Sequence, residues 1–121
     1  MDDDEVIRAV MSAMLEQAGY KVSLTENGDE AIECYEEAKK YGYAFDAVII
    51  DLNIPRGRDG KGTIKKLIEI DPQVKAIVMS GAFKDPAITD FKRYGFKSAL
   101  IKPFSSSDLE KTMCSVLDGK G

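Results

Sequence analysis

Four places in the 121-residue chain carry groups that can do chemistry together. Asp2 and Asp3 lie at its start, Asp51 and Asn53 follow the apolar run at 47–50, Ser80-Gly81 closes a second apolar run, and Lys102 closes a third. Histidine is absent, which removes Ser-His and Cys-His nucleophile pairs and His-ligated zinc. Carboxylates, a hydroxyl, an ammonium and backbone groups remain. Three carboxylates around one lysine carry excess negative charge, and close carboxylates resist joint ionisation unless a cation compensates them. Oxygen donors alone suit a hard divalent ion, magnesium rather than zinc. Magnesium in turn suits phosphoryl chemistry, in which the ion, the Lys102 ammonium and the Ser80 hydroxyl each stabilise part of the spreading charge. Asp51 is then placed as a nucleophile that forms an aspartyl phosphate.

These residues meet only if the elements carrying them converge. Residues 4–18 place Ile7, Val10, Met11, Met14, Leu15 and Ala18 at helical spacing, with Gly19 as a stop. Residues 21–25 alternate around Val22 and Leu24 as a short strand, and Asn27 with Glu30 opens a second helix that runs to about Tyr41. Residues 45–50 are nearly all apolar, the pattern of a strand covered on both faces. A Gly-rich loop, a third helix ending before Pro72, and a buried strand at 74–79 follow. Asp85-Pro86 starts a fourth helix that reaches Tyr94, residues 98–101 form a last strand, and a final helix starts in the serines at 105–107. Strands alternating with helices imply an α/β fold with a parallel sheet between helix layers. Ligands of such sheets gather at the carboxyl ends of the strands, where Asp51, Ser80 and Lys102 fall.

Composition narrows the setting. The length fits one domain spanning 1–121. A net charge of −4 argues against the basic footprint that nucleic acid requires. The apolar run at 47–50 is far too short for a bilayer, and no signal pattern opens the sequence, so the expected location is the cytoplasm without membrane attachment. Cys34 and Cys114 lie far apart with no second pair and are expected to be reduced packing residues.

In order and spacing, Asp2-Asp3, Asp51-Leu52-Asn53-Ile54-Pro55, Ser80-Gly81 and Lys102-Pro103-Phe104 resemble the receiver domain of bacterial two-component response regulators, the CheY-like family. The resemblance covers essentially the whole chain. It implies a flavodoxin-like three-layer sandwich with strand order 2-1-3-4-5, and a regulatory phosphoacceptor rather than an enzyme acting on other molecules. It also implies a sensor histidine kinase or phosphotransfer protein as phosphoryl donor. Asp51 matches the family's phosphoacceptor. Asp3 and Asp51 match direct magnesium ligands, Asp2 a ligand through water, and Asn53 a ligand through its carbonyl. Ser80 and Lys102 match the residues that contact the phosphoryl oxygens, and Pro103 the family's cis-proline. Residues 53 and 82 match positions that tune hydrolysis of the phosphoaspartate. Ile70-Asp71-Pro72 resembles receivers fused to hybrid sensor kinases.

The sequence departs from the family in three ways. Ala99 stands where the family usually has an aromatic switch residue. The loop after Pro55 has an extra residue and carries Arg56, Gly57 and Arg58. Only Met1 precedes Asp2, where the family has an apolar strand, and the gap between the 21–25 and 45–50 strands calls for non-standard pairing or self-association. Beside the leading reading of a phosphorylatable receiver, Ala99 and the short start leave open a second, a receiver-like interaction module that takes no phosphate. A haloacid-dehalogenase-type phosphatase expects an acid two residues after the nucleophile, where this chain has Asn53. An FMN-binding flavodoxin expects a hydroxyl- and Gly-rich turn where this chain has acids.

Overall fold

The structure, a computed structural model, describes residues 1–2, 4–52, 60–81 and 85–117. Its elements run α1 (Glu5–Gln17), α2 (Gly28–Lys40), β1 (Val48–Asp51), α3 (Gly60–Ile70), β2 (Ala76–Ser80), α4 (Pro86–Thr89), a 3₁₀ turn (Phe91–Tyr94), β3 (Ser98–Ile101) and α5 (Ser106–Leu117). Helix entries follow their local signals. The Asp4 carboxylate accepts the Val6 and Ile7 amides at the head of α1. The Asn27 side chain accepts the Glu30 amide while donating to the Glu30 carboxylate, a variant of the capping box.

Parallel pairing joins β1 to β2 and β2 to β3, with Asp51 opposite Met79 and Ser80 opposite Ile101. Side chains alternate between two cores. Ile77, Met79 and Leu100 pack with Met11 and Leu15 of α1 and with Leu109, Met113 and Val116 of α5. Ile50, Ala76 and Val78 pack on the opposite face with Ile32 and Tyr35 of α2, Ile64 and Leu67 of α3, and Phe96. The result is the expected three-layer sandwich.

Three expectations need correction. Residues 21–25 form no strand. Their one backbone hydrogen bond among the described residues runs from the Asp2 amide to the Thr25 carbonyl, 3.1 Å, and alternation without a ladder does not make a strand. Nor does this segment close against β1, because Met1 and Asp2 stand between them. The Met1 nitrogen donates to the Ile49 carbonyl at 2.8 Å, and the Asp51 amide donates to the Met1 carbonyl at 3.0 Å. The fourth helix breaks at Asp90, whose backbone is non-helical, leaving a short α-helix and a separate 3₁₀ turn. Thr89 and Asp90 are weak helix formers, and Asp competes for local backbone bonds. Cys114 is exposed rather than packed, while Cys34 is half-buried.

Gly95 ends the 3₁₀ turn at φ +98°, and a Cβ placed there would stand 2.3 Å from Ile68 Cδ1. Gly95→Ala is expected to lower unfolding stability by about 2–3 kcal/mol in urea titration, combining left-handed strain with a displaced Ile68 side chain.

Tyr35 Oη donates to Asp71 Oδ2 at 2.8 Å, tying α2 to the segment after α3. That bond, with the Gln73 amide and Lys39, holds the Asp71 carboxyl below the usual carboxylate range, while burial and the same bond push the Tyr35 hydroxyl up. A carboxyl depressed in the folded state adds stability that is complete above its unfolded value near pH 4 and is lost as acid takes the pH through the lower folded value. Tyr35→Phe is expected to cost about 1–2 kcal/mol at neutral pH. The deficit relative to the parent protein shrinks in acid, as unfolding at pH 7 and pH 3 would show.

Candidate phosphoacceptor site

The strand register brings the predicted residues to one edge of the sheet. Asp51 is the last residue of β1 and Ser80 the last of β2. Lys102 follows β3, its amide donating to the Ser80 carbonyl at 2.9 Å, and the Lys102–Pro103 peptide is cis, as the family position implies. Asp2 reaches the same edge through its amide bond to Thr25.

The carboxylates of Asp2 and Asp51 are almost fully buried, and both turn to one ammonium. Lys102 Nζ lies 3.2 Å from Asp51 Oδ2 and 3.4 Å from Asp2 Oδ2. Ser80 is fully buried beside them in the sheet. Two carboxylates against one lysine, which keeps a quarter of its side chain exposed, leave a net negative charge where water is scarce. Such a pocket favours a cation.

The two other expected metal ligands, Asp3 and Asn53, lie outside the described residues, as do Ala82, Pro55, Arg56, Gly57 and Arg58. Among the described residues no three acidic or cysteine side chains gather closely enough to hold a metal ion. Asp2 and Asp51 are therefore the described part of the oxygen-rich pocket.

Sequence reasoning missed two residues that build this pocket. Arg8 Nη1 donates to the Asp2 carbonyl at 2.9 Å, and Nη2 approaches Glu26 at 3.5 Å, so the guanidinium clamps the acidic segment onto α1. Its signal was slight: it is the sole basic residue of α1. Gly60 is the second. A Cβ there would lie 2.9 Å from Leu52 Cδ2 and 3.1 Å from the Asp51 carbonyl, so the start of α3 sits hard against the Asp51 backbone. The Asp4 carboxylate caps α1 instead of joining the pocket, while the Asp4 amide donates to Asp2 Oδ1 at 2.9 Å. Away from the pocket, Lys61 pairs with Asp85 at 3.6 Å and lies over the Tyr94 ring.

A parallel sheet between two helix layers, with a buried aspartate and a lysine meeting at the strand ends, defines a phosphoacceptor architecture, and comparison with known proteins agrees. The chain belongs to the response regulator receiver domain family, whose profile matches residues 1–113. It is a receiver domain of two-component signal transduction. The chemotaxis protein CheY of Thermotoga maritima is 31% identical over 117 residues, covering 96% of this chain and 92% of that protein. A response regulator receiver protein from Sinorhizobium medicae superposes with a TM-score of 0.79 at 27% identity, covering 99% of this chain and 92% of the other. The receiver domain of a sensor histidine kinase from Pseudomonas aeruginosa, crystallised with magnesium coordinated in its active-site cleft, superposes with a TM-score of 0.85 at 22% identity. That match covers 98% of this chain and 93% of the other. No helix among the described residues is long and apolar enough to cross a membrane.

Proposed function

We propose that this receiver domain, taken as a single unit over 1–121, moves a phosphoryl group from a phosphohistidine of a sensor kinase or phosphotransfer protein onto Asp51. The reading rests on one observation above all: a buried Asp51 carboxylate held 3.2 Å from Lys102 beside a second buried carboxylate. An Asp51 oxygen attacks phosphorus, the P–N bond to histidine breaks, and the imidazole leaves with the bonding electrons and takes a proton. Lys102, shared with Asp2 before transfer, is placed to stabilise the phosphoryl oxygens. The Ser80 hydroxyl lies on the neighbouring strand tip to receive another.

The donor set suits magnesium, because hard carboxylate oxygens in a pocket of net negative charge match its preference. Asp2, Asp3, Asp51 and the Asn53 carbonyl would hold it. When bound, the ion neutralises charge on the phosphoryl oxygens. Arg8 keeps Asp2 in place, and Gly60 lets α3 approach without displacing Asp51. The domain acts on its own aspartate alone, so it is a regulatory element rather than an enzyme with an external product.

The test is incubation with a small phosphodonor and magnesium, followed by intact-mass measurement. One phosphoryl adduct that disappears on magnesium chelation is expected. An unmodified wild-type chain would favour the phosphate-independent interaction module instead.

A further inference from the structure

Residues 85–94 cannot hold themselves together as a helix. Their α-helical part, Pro86–Thr89, is a single turn, and Asp90 at φ −133° and ψ 53° breaks it from the 3₁₀ turn that follows. Turns of this length are unstable alone, since nucleation fixes several residues for each hydrogen bond gained. The segment is held instead by what it packs on. Ala87 and Ile88 are buried and anchor it, and Phe91 and Tyr94 lie half-buried against the core shared by α2 and α3.

Lys61 of α3 fastens both ends of the segment. Its Nζ lies 3.6 Å from Asp85 Oδ1 at the head and 5.5 Å from the centre of the Tyr94 ring at the tail. The same Asp85 oxygen accepts the Ala87 amide at 2.9 Å, so the ammonium braces the cap that starts α4. Among the described residues this is the only ion pair made by the segment's charged side chains, Asp85, Asp90, Lys92 and Arg93. Each contact alone is weak, because the Lys61 side chain is 44% exposed. Together they are stronger, since one ammonium serves both and the lysine side chain is ordered once. Lys61 also follows Gly60, whose packing on the Asp51 backbone fixes where α3 starts.

We propose that Lys61 is a clasp that closes residues 85–94 against α3 as one unit, and that its release opens this unit while the sheet and the remaining helices stay folded. Opening lifts Ile88, Phe91 and Tyr94 from the core they cover and turns that flank into exposed apolar surface. Ionic strength sets the balance, because the closing ion pair is open to solvent and screened by salt.

The test reads hydrogen exchange in the full chain, at constant pH, at the amides of Ile88, Thr89, Asp90, Arg93, Gly95 and Phe96, which bond within the segment or at its end. Lys61→Met keeps the aliphatic stem and removes the ammonium. It is expected to speed exchange at each of these amides by about fivefold, while amides of β2 and α5 keep their rates. Asp85→Asn keeps an oxygen for the Ala87 amide and removes the charge. Because the clasp joins head to tail, this variant is expected to speed exchange at Arg93, Gly95 and Phe96 as well as at Ile88. Sodium chloride at about 0.5 M is expected to speed the same amides in the parent chain and to leave Lys61→Met unchanged. Unaltered exchange in Lys61→Met, an Asp85→Asn effect confined to residues 88–90, or equal acceleration in β2 and α5 overturns the proposal. None of these readouts depends on phosphoryl uptake.

Discussion

Substituting Asp51 with asparagine will leave the chain unable to take up a phosphoryl group from a small phosphodonor, while the fold survives. The amide has nearly the carboxylate's shape but lacks its charge and its nucleophilic oxygen. Structure should be retained because Lys102 keeps a partner: its ammonium lies 3.4 Å from Asp2, so Asp51→Asn leaves one carboxylate opposite one lysine. Magnesium should raise the unfolding temperature of the parent chain, by binding the folded state alone, and should raise that of the variant much less. Intact mass and a thermal scan with and without magnesium measure both effects. Undiminished phosphoryl uptake by the variant would assign the acceptor to another residue.

Lys102→Met should produce the second large effect, and it separates chemistry from stability. Removing a positive charge aimed at developing phosphoryl charge costs about 10²–10³-fold in rate by analogy with other preorganised stabilisers. The same change leaves Asp2 and Asp51 facing each other in a nearly dry pocket. Breaking a fully buried pair costs about 3–5 kcal/mol, and the partial exposure of the ammonium places this case lower, at about 2–3 kcal/mol. The deficit should shrink in magnesium, which replaces the lost cation. A variant with parental phosphorylation kinetics would remove Lys102 from the phosphoryl site.

Elements whose signals are local were legible in the sequence. Asn27 with Glu30, and Asp85 with Pro86, announced the helices they begin, and the apolar runs announced β1, β2 and β3 to within two or three residues. Asp51, Ser80 and Lys102 could be grouped because strand ends in a parallel sheet share an edge. What stayed hidden depends on neighbours. Residues 21–25 have the alternation of a strand, but a strand exists only through its ladder, and among the described residues this segment has a single backbone hydrogen bond. Arg8 and Gly60 look unremarkable along the chain. Their roles appear only when α1 and α3 are folded against Asp2 and Asp51. The break at Asp90 was blurred by apolar residues on both sides of it.

The rung formed by Met1 and Asp2 has a thermodynamic corollary. Three backbone hydrogen bonds and the Arg8 clamp hold the acidic half of the pocket in place. Cation affinity is therefore the intrinsic affinity multiplied by the fraction of molecules in which this rung is closed. Whatever steadies the rung must tighten ion binding, and by reciprocity the ion must steady the rung by the same factor.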